Sequence, residues 1–153
     1  MNSELQCESK TMSELPLRLQ RLTDLLSEME IDAMLVTDEI NVRYLTGFTG
    51  DSSSLVVAAD GTTILSDGRY TAQIADECCG IQTMIRTSSQ LLPDLTMAAL
   101  RDLGLKRVGI EADKITLADF QFLSTGCDGI EFVSKMGVVE RLRMIKEEAE
   151  ITA

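Results

Sequence analysis

Histidine is absent from all 153 residues, and so is tryptophan. Without imidazole the chain cannot assemble a Ser-His or Cys-His nucleophile pair, and it lacks the commonest protein ligand for transition metals. Most hydrolytic chemistry is therefore excluded from this chain by itself. Basic residues are scarce as well: 14 Lys and Arg face 25 Asp and Glu, a formal charge of −11. Binding to nucleic acid or to anionic lipid needs clustered Lys and Arg, so neither partner is expected. No apolar run approaches the ~20 residues of a membrane-spanning helix. The opening segment, MNSELQCESKTMSELP, has no basic start followed by an apolar run, so no secretory signal is read. Cys7, Cys78, Cys79 and Cys127 form no CxxC pair. They read as reduced thiols of a cytoplasmic protein, not as a disulfide framework or a zinc site. Asp76 and Glu77, beside Cys78 and Cys79, disfavour a thiolate by like charge and point away from a redox role.

What is present is aliphatic and periodic. With 4 Phe and 2 Tyr the core must be built from Leu, Val, Ile and Met, and a chain of this length suits one domain that buries roughly 70% of its unfolded surface. Residues 1–12 are polar and aperiodic and read as a disordered tail. From Ser13, a candidate cap, Leu15, Leu19, Leu22, Leu26 and Met29 recur in alternate steps of four and three, the spacing of one helical face, with Pro16 in the first turn. IDAMLVT (31–37) predicts a buried strand. NVRYLTGFTG (41–50) fits neither helix nor strand and reads as a glycine-shaped loop. SLVVAADGTTILSD predicts a hairpin whose Asp60-Gly61 pair supplies positive φ in the turn. A short helix follows over 69–78 through Tyr70, Ile74 and Cys78, then a strand at 81–87. A helix is expected over 89–103 with Leu92, Leu95, Ala99 and Leu103 inward and Gly104 as its stop. Strand 107–112, helix 116–123 capped by Thr116 with Asp119, and strand 130–135 complete the alternation. The order predicts an α/β fold: a mixed, mainly parallel sheet with one antiparallel hairpin and helices on both faces. GVVERLRMIKEEAEITA, 137–153, predicts a last helix with Val138, Leu142, Ile145 and Ala149 on one stripe and no stop signal, as expected of a helix that continues into something else.

Two stretches place an arginine beside a tyrosine, NVRYLTGFTG and SDGRY (66–70). Each offers a guanidinium fork and a phenol, a combination suited to recognising a carboxylate or carbonyl, and equally suited to local pairing with Asp67 and packing under the hairpin. Glu111 and Asp113 follow a strand, but two carboxylates do not make a cation cage, and they read as solvated loop charges. Glu147, Glu148 and Glu150 read as the wet face of the last helix.

In order, IDAMLVTDEINVRYLTGFTG, ILSDGRY, VGIEADKITLADF and ERLRMIKEEAEI resemble the amino-terminal domain of the Xaa-Pro peptidases and creatinase, over about residues 15–153. The TGFTG and DGRY forms look most like bacterial Xaa-Pro aminopeptidases and prolidases. The resemblance implies a ribonuclease H-like α/β domain over 13–136 and a connecting helix over 137–153. That helix would lead toward a catalytic domain of the pita-bread type with two divalent metal ions, such as manganese, cobalt or zinc. This chain is then expected to hold no metal or other cofactor and no catalytic residue. It would build a homodimer or homotetramer, pack on its own catalytic domain and restrict entry to short proline-containing peptides. Arg43, Tyr44, Phe48, Arg69 and Tyr70 are the substrate-proximal candidates it implies. Asp51 departs from the serine the family often has after TGFTG. A creatinase-like amidinohydrolase parent and a stand-alone small-carboxylate binding or dimerisation module are the alternatives.

Overall fold

Ala33–Val36 offers four apolar residues in succession and no polar side to turn toward water, and these residues lie buried in the middle of a six-stranded sheet. The computed structural model describes residues 15–145. In chain order they form α1 (Leu15–Glu28), β1 (Ala33–Val36), α2 (Glu39–Thr46), β2 (Ser54–Ala58) and β3 (Gly61–Ser66). A 3₁₀ turn (Gly68–Tyr70), α3 (Thr71–Glu77), β4 (Gln82–Ile85) and α4 (Leu92–Asp102) follow. The chain then continues through β5 (Arg107–Glu111), α5 (Leu117–Gly126), β6 (Glu131–Lys135) and α6 (Val138–Met144).

The strand order is β4-β3-β2-β1-β5-β6. β3 pairs in parallel with β4, β1 with β5 and β5 with β6, while β2 runs against both its neighbours. This is the mixed, mainly parallel sheet that the alternation predicts. Successive strand residues point to opposite faces. Met34, Val36, Leu55, Val57 and Ile64 meet α1, α2, α3 and α6 on one side. Ala33, Leu35, Val56, Ala58 and Leu65 meet α4 and α5 on the other.

Several expectations need correction. The stretch 41–50 is not a loop: its first six residues belong to α2. Asp38 accepts from the Asn41 backbone N–H at 3.2 Å, Val42 and Leu45 pack inward, and Gly47 stops the helix at φ 79° with its N–H on the Arg43 carbonyl at 2.8 Å. The hairpin is present, but its two turn residues are Ala59 and Asp60, Gly61 pairs with Ala58 inside the ladder, and neither Asp60 nor Gly61 has a positive φ. In α4 the inward position falls to Leu100, fully buried, while Leu103 caps the helix outside the core at 39% exposure. The Thr116 cap is as expected, with its hydroxyl accepting from the Asp119 N–H at 3.1 Å. Cys78 and Cys127 are free thiols sealed in the core. Burial pushes the Cys78 thiol up to about 11. Cys79 is exposed. The last helix ends at Met144, and Ile145, expected on its inward stripe, is extended and exposed. The tail 1–12, the Ser13 cap and residues 146–153, expected to continue that helix, lie outside the described residues.

Candidate functional site

The strands β1, β3 and β5 run in one direction, so their carboxyl ends share one edge of the sheet, the place where open α/β sheets present functional groups. At the β3 end, Asp67 is 4% exposed and holds Arg69 through both oxygens: Nε donates to Oδ1 at 3.0 Å and NH2 to Oδ2 at 2.9 Å. The Arg69 side-chain bond, with the Arg69 backbone N–H behind it, holds the Asp67 carboxyl down at about 2 despite its desolvation. The same bond pushes Arg69 up. Arg69 is 68% exposed and lies over the Tyr70 ring at 5.3 Å. Its fork is thus already occupied, which weakens the reading of Arg69 as a free carboxylate receptor.

Tyr70 joins this group to the glycine-rich turn. Its hydroxyl donates to Asp51 Oδ1 at 2.5 Å, and its ring stands edge-on to Phe48 with centroids 5.4 Å apart. The hydrogen bond lowers Asp51 and raises Tyr70. Asp51, the departure noted in the sequence, therefore has a partner within the fold. Gly50 sits between the two rings: a Cβ there would lie 2.4 Å from Phe48 Cζ and 2.8 Å from Tyr70 Cε1, so no larger residue fits. Phe48 is 1% exposed and belongs to the core, not to a pocket wall.

Tyr44 faces elsewhere. Its hydroxyl donates to the Leu142 carbonyl at 3.1 Å, and the Arg18 guanidinium lies 4.3 Å over its ring while donating to the Tyr44 carbonyl at 2.9 Å. Tyr44 therefore ties α2 to both α1 and α6. Arg43, one residue before it, is exposed on the surface of α2. Of the five candidates the fold gathers Phe48, Arg69 and Tyr70 into one group and leaves Arg43 and Tyr44 on a different helix.

The sequence reading missed the polar centre of this edge. Glu111, read as a solvated loop charge, is 4% exposed. Its Oε2 accepts from the backbone N–H of Thr37 at 2.8 Å and of Asp38 at 3.0 Å, and its Oε1 from Asn41 Nδ2 at 2.6 Å. Asn41, fully buried, also donates to Glu140 at 2.8 Å and accepts from Arg143 at 3.3 Å. Burial raises the Glu111 pKa, against the opposing pull of these donors. Asp113 is exposed, as expected. Among the described residues no group of three or more His, Cys, Asp or Glu is placed to hold a metal ion. The Glu111 oxygens are engaged by N–H donors and fit no such set. Nor is any described helix long and apolar enough to cross a membrane.

A family model described as the creatinase/prolidase N-terminal domain matches residues 18–145. The chain is 33% identical over 135 residues to the uncharacterized peptidase YqhT of Bacillus subtilis (strain 168), covering 88% of this chain and 38% of that protein. It is similar in structure to an Xaa-Pro dipeptidase from Bacillus anthracis, with a TM-score of 0.83 and 28% identity over 90% of this chain and 38% of that one. It is also similar to the N-terminal domain of the cytoplasmic peptidase PepQ from Mycobacterium tuberculosis H37Rv, with a TM-score of 0.75 and 30% identity over 83% of this chain and 98% of that one. The chain thus spans well under half the length of the curated relatives it matches. From its motifs, its sheet and these likenesses together, the chain belongs to the creatinase/prolidase amino-terminal domain family.

Proposed function

We propose that this chain is the non-catalytic amino-terminal domain of a cytoplasmic, metal-dependent Xaa-Pro aminopeptidase or dipeptidase, whose catalytic domain cleaves the bond before proline. The reading rests on one observation: the same fold accounts for 98% of an isolated peptidase amino-terminal domain but only 38% of an Xaa-Pro dipeptidase. In this reading 13–136 is the domain and 137–153 the connection to a second domain that carries two divalent metal ions. Those ions would supply an activated hydroxide, and no residue described above holds them. The chain's own work is assembly into a dimer or tetramer and restriction of the entrance to short proline-containing peptides. Arg43 and Arg69, both exposed, and the half-buried Tyr70 are the proposed contacts to a substrate or a neighbouring subunit. Phe48 packs behind Tyr70, and Tyr44 fixes the helix that carries Arg43.

The test uses both the chain and the full product of its gene. The 153-residue chain with manganese and an Xaa-Pro dipeptide should give no turnover. The full product should hydrolyse the peptide and lose activity to a chelator. Turnover by the chain alone, or hydrolysis of creatine in place of the peptide by the full product, would overturn the reading. Sedimentation of the full product tests assembly, with a monomer as the refuting result.

A further inference from the structure

Asp60, Asp67 and Asp128 are each followed by glycine. In such a pair no side chain shields the glycine nitrogen, and it can close a succinimide ring on the aspartate carboxyl in front of it. The fold treats the three pairs differently. At Asp60-Gly61 the glycine pairs with Ala58 across a two-residue turn, and the closing pair of such a hairpin exchanges both ladder hydrogen bonds. The Gly61 nitrogen is therefore fixed at the start of β3. At Asp67-Gly68 the carboxyl is the protected partner: it is buried, and its two oxygens hold the Arg69 guanidinium at 3.0 and 2.9 Å. That bond keeps it ionised down to about 2, so the acid form that a nucleophile attacks is scarce there.

Asp128-Gly129 has neither restraint. Both residues are exposed in the turn between α5 and β6. The Asp128 carboxylate has no hydrogen bond or ion pair among the described residues, and the Gly129 N–H has no acceptor among them. The turn is closed by the Ile130 N–H on the Cys127 carbonyl at 3.2 Å, with Gly129 at φ 86°, in the region that leaves glycine most freedom to rotate. Swinging the Asp128-Gly129 peptide toward the carboxyl thus costs one exposed hydrogen bond, whereas Gly61 would have to leave a ladder. We propose that Asp128 is a covalent modification site, at which the folded chain converts aspartate into isoaspartate without an enzyme. The Gly129 nitrogen attacks Cγ of the protonated Asp128 carboxyl. The N–Cγ bond forms, and the amide proton leaves with the carboxyl hydroxyl as water. Water then adds back to the succinimide: opening at Cγ restores aspartate, and opening at the main-chain carbonyl carries the backbone through Cβ and frees an α-carboxylate. No oxidant or reductant is needed, and the mass is unchanged. The connection into β6 gains one backbone atom just before the Glu131 N–H that reaches the Lys106 carbonyl at 2.7 Å. The inference stands apart from the peptidase reading.

The test keeps the chain folded for weeks at about pH 6, where an ordinary carboxyl still has some acid form, in water enriched in heavy oxygen. Each succinimide that reopens takes up one heavy oxygen atom. Digestion in ordinary water and peptide mass spectrometry then read the three pairs separately, and the retention of each peptide reports isoaspartate. Label and isoaspartate at Asp128 should exceed those at Asp60 and Asp67 by about tenfold or more. In the urea-unfolded chain the three pairs should come together, within about threefold. Label at Asp60 or Asp67 equal to that at Asp128 in the folded chain would overturn the proposal, as would a folded chain that takes up none at Asp128 while the unfolded chain does. These outcomes are read on the unaltered chain and do not depend on a variant folding. Asp128→Glu, which would have to close a larger and slower-forming ring, should lose the label from that peptide. Label that persists there would refute the assignment to Asp128.

Discussion

Asp67 and Glu111 stand at the same edge of one sheet, at the ends of β3 and β5, and each is 4% exposed. Their protons behave oppositely. Asp67 faces a guanidinium and its carboxyl drops to about 2, whereas Glu111 faces two backbone N–H groups and one amide and its pKa is raised. Low residue exposure therefore does not by itself set the protonation of a carboxylate. At Asp67 the bond from the Arg69 side chain leads, whereas at Glu111 desolvation leads and the neutral donors only oppose it. The first arrangement lies at the surface, with Arg69 mostly in water. The second ties together β1, β5, α2 and α6, and stability should respond to the two ends very differently.

The largest effect is expected from Glu111→Ala. It leaves the Thr37 and Asp38 N–H groups and the Asn41 amide short of their acceptor, and should cost roughly 3–5 kcal/mol in urea unfolding. Asn41→Ala keeps the backbone bonds to Glu111 but removes the bridge to Glu140 and Arg143. We expect a loss of about 2–3 kcal/mol, with faster hydrogen exchange in α6 than in α4. Asp38→Ala removes only the cap of α2 and should cost about 1 kcal/mol. Asp67→Asn should do less at neutral pH, because its partner Arg69 is largely solvated. A larger fall in the urea midpoint for Asp67→Asn than for Glu111→Ala would break the comparison.

The pH dependence separates the two groups by sign. Native Glu111 keeps its proton to a higher pH than an unfolded glutamate, so its contribution is full below 4.5 and is lost as pH rises through its raised native value. Native Asp67 gives up its proton more readily than the unfolded residue, so its contribution is present above 3.8 and is lost as pH falls through about 2. Urea midpoints measured across pH should therefore lose their alkaline-side decline in Glu111→Gln and part of their acid-side decline in Asp67→Asn. An unchanged profile in either variant contradicts the corresponding assignment.

The sheet was legible in the sequence because its strands announce themselves locally, by short apolar runs such as Ala33–Val36 and Leu55–Ala58 between helical periodicities. The pair Thr116 and Asp119 gave a cap from spacing alone. α2 is hidden in the stretch 41–50 because its cap, Asp38, lies outside it, three residues before Asn41. Read from Asp38, the same residues form a cap, an inward Val42 and Leu45, and a glycine stop. The hairpin was found through Asp60-Gly61, although Gly61 serves as a strand residue there. Glu111 was misread for a different reason. Its burial comes from Thr37, Asp38 and Asn41, 70 or more residues away in the chain, and from α6 across Asn41. No local pattern carries that information. The burial of the Thr37 and Ser53 hydroxyls, which have no partner among the described residues, was beyond the sequence for the same reason.

The Asn41 side chain has two amide hydrogens and one oxygen, and it commits them to Glu111, Glu140 and Arg143. A single rigid group thus clamps the last helix onto the edge of the sheet, with Tyr44 as a second point of attachment one turn further along α2. Two fixed points define a line. The orientation of α6 is therefore held from α2, and a load on α6 would reach α2 as a torque across Asn41 and Tyr44.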